Sequence, residues 1–133
     1  MVDSAQASMS DQTTIARVEA YFAAVDRKDL AASLSFFASD ASFTIATFQT
    51  TFRGRDTEIA GVFERLFSRY DTIYHGEFEH FLVSPERIAC RFEVRNGRAG
   101  QPTAHKSNAN FFRLKGELFQ DVFVYMSGDN SLA

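Results

Sequence analysis

The stretch from Ala104 to Asn130, AHKSNANFFRLKGELFQDVFVYMSGDN, constrains the fold more than any other part of the chain. Two runs rich in aromatic and aliphatic residues flank Leu114-Lys115-Gly116-Glu117, and Gly116 supplies the backbone freedom a tight turn needs. The pair predicts two antiparallel strands whose apolar side must be covered by what precedes them. Strict alternation puts Asn108, Asn110 and Phe112 on one face of the first strand, and Phe119, Asp121, Phe123 and Tyr125 on one face of the second. Two amides and a carboxylate among rings have the make-up of a mostly apolar pocket with a few oriented polar groups. The plainer alternative is that Asn110 and Asp121 turn to water.

Aromatic content sharpens the choice. With 15 Phe, 4 Tyr and no Trp in 133 residues, the chain predicts either a core dense in rings or a cavity lined with them. Its length allows one core and not two, so residues 11–133 are expected to form a single domain behind a flexible tail over 1–10. A net charge of −3, with no Lys/Arg stripe among the aromatics, removes the electrostatic basis for nucleic-acid binding. The lone Cys90 cannot form an intramolecular disulfide or a multi-cysteine zinc site, and its spacing from Ile88 and Phe92 predicts a buried core position. MVDSAQASMS has no basic start and no apolar run, and no stretch approaches the roughly 20 apolar residues a membrane span requires. A cytoplasmic protein with no membrane partner is the resulting expectation.

Upstream, periodicity changes from helical to alternating. Ile15, Val18, Phe22 and Val25 form one stripe of a helix capped at Ser10 or Asp11, with Tyr21 beside that stripe. Asp29 can cap a short second helix with Leu30, Leu34 and Phe37 on one side, ending near Ser39-Asp40. Extended pieces are expected over 41–52, and Ile59, Val62, Phe63, Leu66, Phe67 and Tyr70 then mark a third helix starting at Asp56 or Thr57. Strands follow over 73–83 and 86–95, with Asn96-Gly97 predicted as a type I′ hairpin turn. Helices first and strands later is the α+β pattern.

This order, with the strings YFAAVDRKDLAASLSFFASDASF, FRGRDTEI and ANFFRLKGELFQDVFVYMS, resembles the NTF2-like superfamily of ketosteroid isomerases, SnoaL-like polyketide cyclases and limonene epoxide hydrolases. The resemblance implies a cone in which three N-terminal helices pack on a strongly curved antiparallel sheet. Tyr21 falls where ketosteroid isomerases carry their oxyanion-hole tyrosine, and Asn110 where they carry the second donor. The general-base position falls on Ile45, which cannot accept a proton, so steroid isomerisation is not implied. Arg91 and Glu93 resemble part of the Asp-Arg-Asp set of the epoxide hydrolases, whose remaining aspartate falls near Phe123; a solvated strand surface explains the same alternation.

A base must then come from elsewhere. Asp121 is one candidate, in the last strand where cyclase-like members often carry an acid/base group. His75 is another, and its separation of five from His80 predicts opposite faces, with at most one of them in the cavity. Phe43, Ile45, Phe63, Asn108, Phe112, Phe123 and Tyr125 are the candidate lining. No metal-ligand spacing is present and no cofactor is implied. Two functions remain open: an isomerase, cyclase or dehydratase acting on a small hydrophobic carbonyl compound through an enolate, or a protein that binds an aromatic or polyketide-like ligand, or serves structurally, without chemistry. A homodimer covering the outer face of the sheet is expected in either case.

Overall fold

The computed structural model describes residues 10–132; the tail expected over the first ten residues lies, apart from Ser10, outside them. Helix α1 (Asp11–Asp26) starts where the Ser10 hydroxyl accepts from the Thr13 amide at 3.1 Å, satisfying one of the donors a helix start leaves open. Asp29 caps α2 (Leu30–Leu34) in the same way, through the Ala32 amide. This helix is shorter than its spacing predicts: Phe37 already begins strand β1 (Phe37–Ile45) instead of extending the helical face. Strand β2 (Thr50–Arg53) follows, then a wide turn of π type over Gly54–Ile59 that leads into α3 (Ala60–Arg69).

The remaining strands, β3 (Thr72–Ser84), β4 (Arg87–Gly97), β5 (Ala104–Lys115) and β6 (Leu118–Tyr125), form an antiparallel meander. Gly116, at φ 62°, makes the turn between β5 and β6. Asn96-Gly97 makes no turn. Asn96 is buried and pairs with Ile73 and Ala104 inside the ladder, and the chain reverses only beyond Gly97, where Gly100 adopts φ 76°. In sheet order β2-β1-β6-β5-β4-β3, β1 runs parallel to β6, so the curved sheet is mixed where the sequence predicts an antiparallel one. Local turn signals fix the direction of consecutive strands only; Ser42 of β1 pairs with Asp121 of β6 across 79 residues, and no turn dictates how β1 lies.

Two of the register breaks in the sheet bear on the site. In β3, Glu77 and Phe78 stand opposite Phe92 alone, and Glu77 takes φ 56°, a left-handed conformation that side chains usually avoid. In β6, Gln120 is the extra residue between the pairs Leu114–Phe119 and Arg113–Asp121. The helices cover the concave side, where Val18, Phe37, Phe63, Phe92 and Phe119 are almost wholly buried. Phe119 packs at 4.8 Å from Phe112, 5.3 Å from Tyr21 and 5.4 Å from Phe37, so these four rings form a connected part of the core. No helix among the described residues is long and apolar enough to cross a membrane.

Candidate functional site

The bulges decide which side chains enter the cone. Beyond Gln120 the phase of β6 shifts, so Val122 and Val124 face inward while Asp121, Phe123 and Tyr125 face outward. Phe119 is therefore parted from Asp121, Phe123 and Tyr125, which keep a common face but on the outside of the sheet. Asp121 accepts from the Ser42 hydroxyl at 2.7 Å and lies 3.6 Å from Arg113, on the outer side of the sheet. The β3 bulge acts the other way on the histidines. Their spacing predicts opposite faces, but the extra residue brings both His75 and His80 to the helix side, where His75 meets Asp26 and His80 meets Glu19.

Inside the cone lies a cavity of about 40 Å³, whose lining includes Tyr21, Phe43, Phe63, His75, Asn108 and Asn110. Those six are among the predicted site residues. Ile45 and Phe112 are buried in the surrounding core but do not line it, and Phe123 and Tyr125 lie outside. Two further residues of the site are not among the expected ones: Asn96, which lines the cavity through an inward position of β4, and Asp26, the last residue of α1. Asn96 was hidden by its turn-like pairing with Gly97. Asp26 carries no local signal, because its role depends on a strand 49 residues away.

Asp26 is the organising group. One carboxylate oxygen accepts from the His75 amide at 3.0 Å and the other lies 2.6 Å from the ring Nδ1. An ionised carboxylate only accepts, so the bond assigns the proton of the neutral ring to Nδ1 and leaves Nε2 with its lone pair. Phe22 and Phe92 flank the imidazole at 4.8 and 5.6 Å between ring centroids, fixing its plane. Burial, assisted by Cys90 and Asp26, pushes the Tyr21 phenol far above its ordinary value, so it keeps its proton and can act as a donor. Among the described residues, Asn96 Oδ1 and Asn110 Oδ1 are buried with no hydrogen-bond partner. Each such orphan costs about 1–3 kcal/mol in a folded protein. A base with a fixed tautomer, a neutral donor and two unclaimed amide oxygens thus surround one small space, where the imidazole can move a proton and the Tyr21 hydroxyl can donate to the charge it leaves. No group of three or more His, Cys, Asp or Glu among the described residues is placed to hold a metal ion.

A second concavity lies on the outer face. It measures about 630 Å³, and Phe81, Val83, Phe111, Phe123 and Tyr125 contribute to its walls. Val83 is 88% exposed and Phe81 60%, so this is a genuine apolar surface and not a shallow dent in the core. Arg91 and Glu93 share the outer side, where Arg91 pairs with Glu79 at 2.7 Å.

Solved structures share this architecture. A protein of ketosteroid isomerase-like fold from Catenulispora acidiphila, in complex with trimethylamine, superposes with a TM-score of 0.72 at 19% identity, over 82% of this chain and 83% of that one. A protein provisionally described as a polyketide cyclase from Xanthomonas campestris gives 0.73 at 20% identity, over 86% and 90%. An NTF2-like protein from Burkholderia xenovorans gives 0.70 at 20% identity, over 90% and 92%. At these identities the likeness establishes the fold alone. None of the curated proteins matches the sequence. The SnoaL-like domain model matches residues 18–122, from the middle of α1 into β6, and the chain therefore belongs to the SnoaL-like family.

Proposed function

We propose that the cavity binds a small hydrophobic carbonyl compound and that His75, oriented by Asp26, transfers a proton while Tyr21 and Asn110 stabilise the resulting enolate. Isomerisation, cyclisation and dehydration all pass through that step. The observation that carries the reading is the 2.6 Å contact from Asp26 to Nδ1 of a histidine that lines the same cavity as Tyr21 and Asn110. Asn110 presents its unpartnered carbonyl oxygen, and a half-turn of the amide would present its NH₂ to an oxyanion instead. His75 thereby takes the place that Asp121 holds in the sequence argument. The trimethylamine bound to one structural neighbour is consistent with small-molecule binding on this fold.

A test that does not require the natural substrate is hydrogen exchange alpha to the carbonyl of a small aryl ketone in D₂O, followed by NMR. His75→Asn should lower the catalysed rate by about 10²–10⁴. If wild type accelerates exchange no more than the variant does, proton transfer is refuted and non-catalytic ligand binding becomes the better reading.

We also infer a homodimer formed through the outer groove. The large exposed apolar side chains at Phe81, Val83, Phe111 and Tyr125 lie around it, and a second copy brings an identical apolar face to cover them.

A further inference from the structure

The cavity and its chemistry do not match in size. About 40 Å³ accommodates only a few water molecules, whereas pockets for organic ligands run to about 300–1,000 Å³. The segment that follows β6 contributes to the walls of this space. From Ser127 to Leu132 the chain forms no helix or strand, passes through Gly128 at φ 72°, and brings Ser131 and Leu132 into the lining beside His75, Asn96 and Asn110.

What holds this strap is a set of side chains gripping its backbone. Lys106 Nζ donates to the carbonyls of Ser127 and Asp129, Asn108 Oδ1 accepts from the Ser127 amide at 3.3 Å, and Arg69 donates to the Ser131 carbonyl at 2.9 Å. Lys106 is only 7% exposed, so its ammonium depends on those carbonyls for the solvation it has lost. Among the described residues no ladder of main-chain bonds ties the strap to the sheet.

We propose that Ser127–Leu132 is a releasable stopper, with Ser131 and Leu132 standing in the ligand's own subsite, and that its withdrawal opens the cavity to an aromatic molecule bearing a hydroxyl group. The ligand class follows from the exposed chemistry. Phe22, Phe43, Phe63 and Phe92 offer ring surfaces, while Asn96 Oδ1, which the proton transfer does not use, accepts and lacks a donor. The stopper rests on the small-molecule reading above but not on proton transfer.

The test uses the full chain, with naphthol and its methyl ether as probes. Lys106→Met removes the central latch; hydrogen exchange of the strap amides and naphthol affinity should each rise about tenfold, since hydrogen bonds to a charged group are at stake. Leu132→Ala shortens the stopper with the latch intact, and should raise affinity without accelerating strap exchange, so one variant remains informative if the other folds poorly. Binding is read from the NMR signals of His75, Asn96 and Asn110, which separates the cavity from the outer groove around Phe111 and Phe123. The methyl ether should bind at least several-fold more weakly. Faster strap exchange with unchanged naphthol affinity, or equal affinity for the ether, would overturn the proposal. Naphthol binding at those signals without ketone exchange would instead refute the proton-transfer reading and leave the stopper standing.

Discussion

Replacing Asp26 by asparagine tests the site at its most specific point, because the change keeps the shape of the side chain and alters what it can accept. In the native protein both carboxylate oxygens are used, at 3.0 Å from the His75 amide and 2.6 Å from Nδ1. Asparagine has one acceptor. If its Oδ1 keeps the His75 amide, the NH₂ group faces Nδ1, and the ring must accept there and carry its proton on Nε2. The lone pair that would take a substrate proton is then occupied. Two charge-assisted bonds become one neutral pair and one rearranged pair; since Asp26 is 24% exposed, the stability loss should be modest, about 1–2 kcal/mol. The catalytic loss should be far larger, about 10²–10⁴ in kcat, with KM little changed. Long-range ¹H–¹⁵N correlation spectra at a pH above the ordinary histidine range distinguish the two tautomers directly. A wild-type ring protonated on Nε2, or a variant still protonated on Nδ1, would refute this account of the dyad whatever the kinetics showed.

Burial pushes the Cys90 thiol from 9.0 up to about 12. The folded-state value is the higher one, so the native protein keeps a proton that the unfolded chain has lost; this contribution is intact below pH 9 and declines as pH rises from 9 towards 12, by about 1.4 kcal/mol per unit. Chemical denaturation at stepped pH should show that slope reduced by one proton in Cys90→Ala, and an identical slope would contradict it. Phe119→Ala, at a side chain with no exposure and three ring neighbours within 5.4 Å, should cost about 3–5 kcal/mol in urea unfolding; a loss below about 2 kcal/mol would mean the aromatic core closes over the gap. Phe111→Asp in the outer groove should convert a dimer to a monomer in sedimentation while changing monomer stability by no more than about 0.5 kcal/mol. A wild-type monomer at micromolar concentration would refute the dimer.

The architecture was legible because it is carried by local signals: the helical stripe from Ile15 to Val25, the caps at Ser10 and Asp29, and the Lys115-Gly116 turn all act within a few residues of themselves. Tyr21 and Asn110 were legible as a pair because the resemblance to ketosteroid isomerases aligned them, and the structure brings them to one cavity. Facing was harder to read. Period-two counting assigns Asp121 inward and separates His75 from His80, and a single extra residue in each strand reverses both results. Asp26 was beyond such reasoning altogether. A helix-terminal aspartate is ordinarily a solvated residue, and only the packing of α1 across β3 gives it a histidine to hold.

The bulges at Glu77 and Gln120 carry a consequence of their own. On either side of each, the ladder resumes with inward residues still inward: Ile73 and His75 before the first and His80 and Leu82 after it, Phe119 before the second and Val122 and Val124 after it. Each bulge is thus a spare residue whose deletion would straighten the strand without turning any of those side chains out of the cone. Shape and lining are separately adjustable in this sheet: a one-residue loss can change how tightly the cone closes, and substitution alone changes what it is lined with. A descendant of this chain could in this way acquire a wider or narrower mouth before altering a single group that faces its ligand.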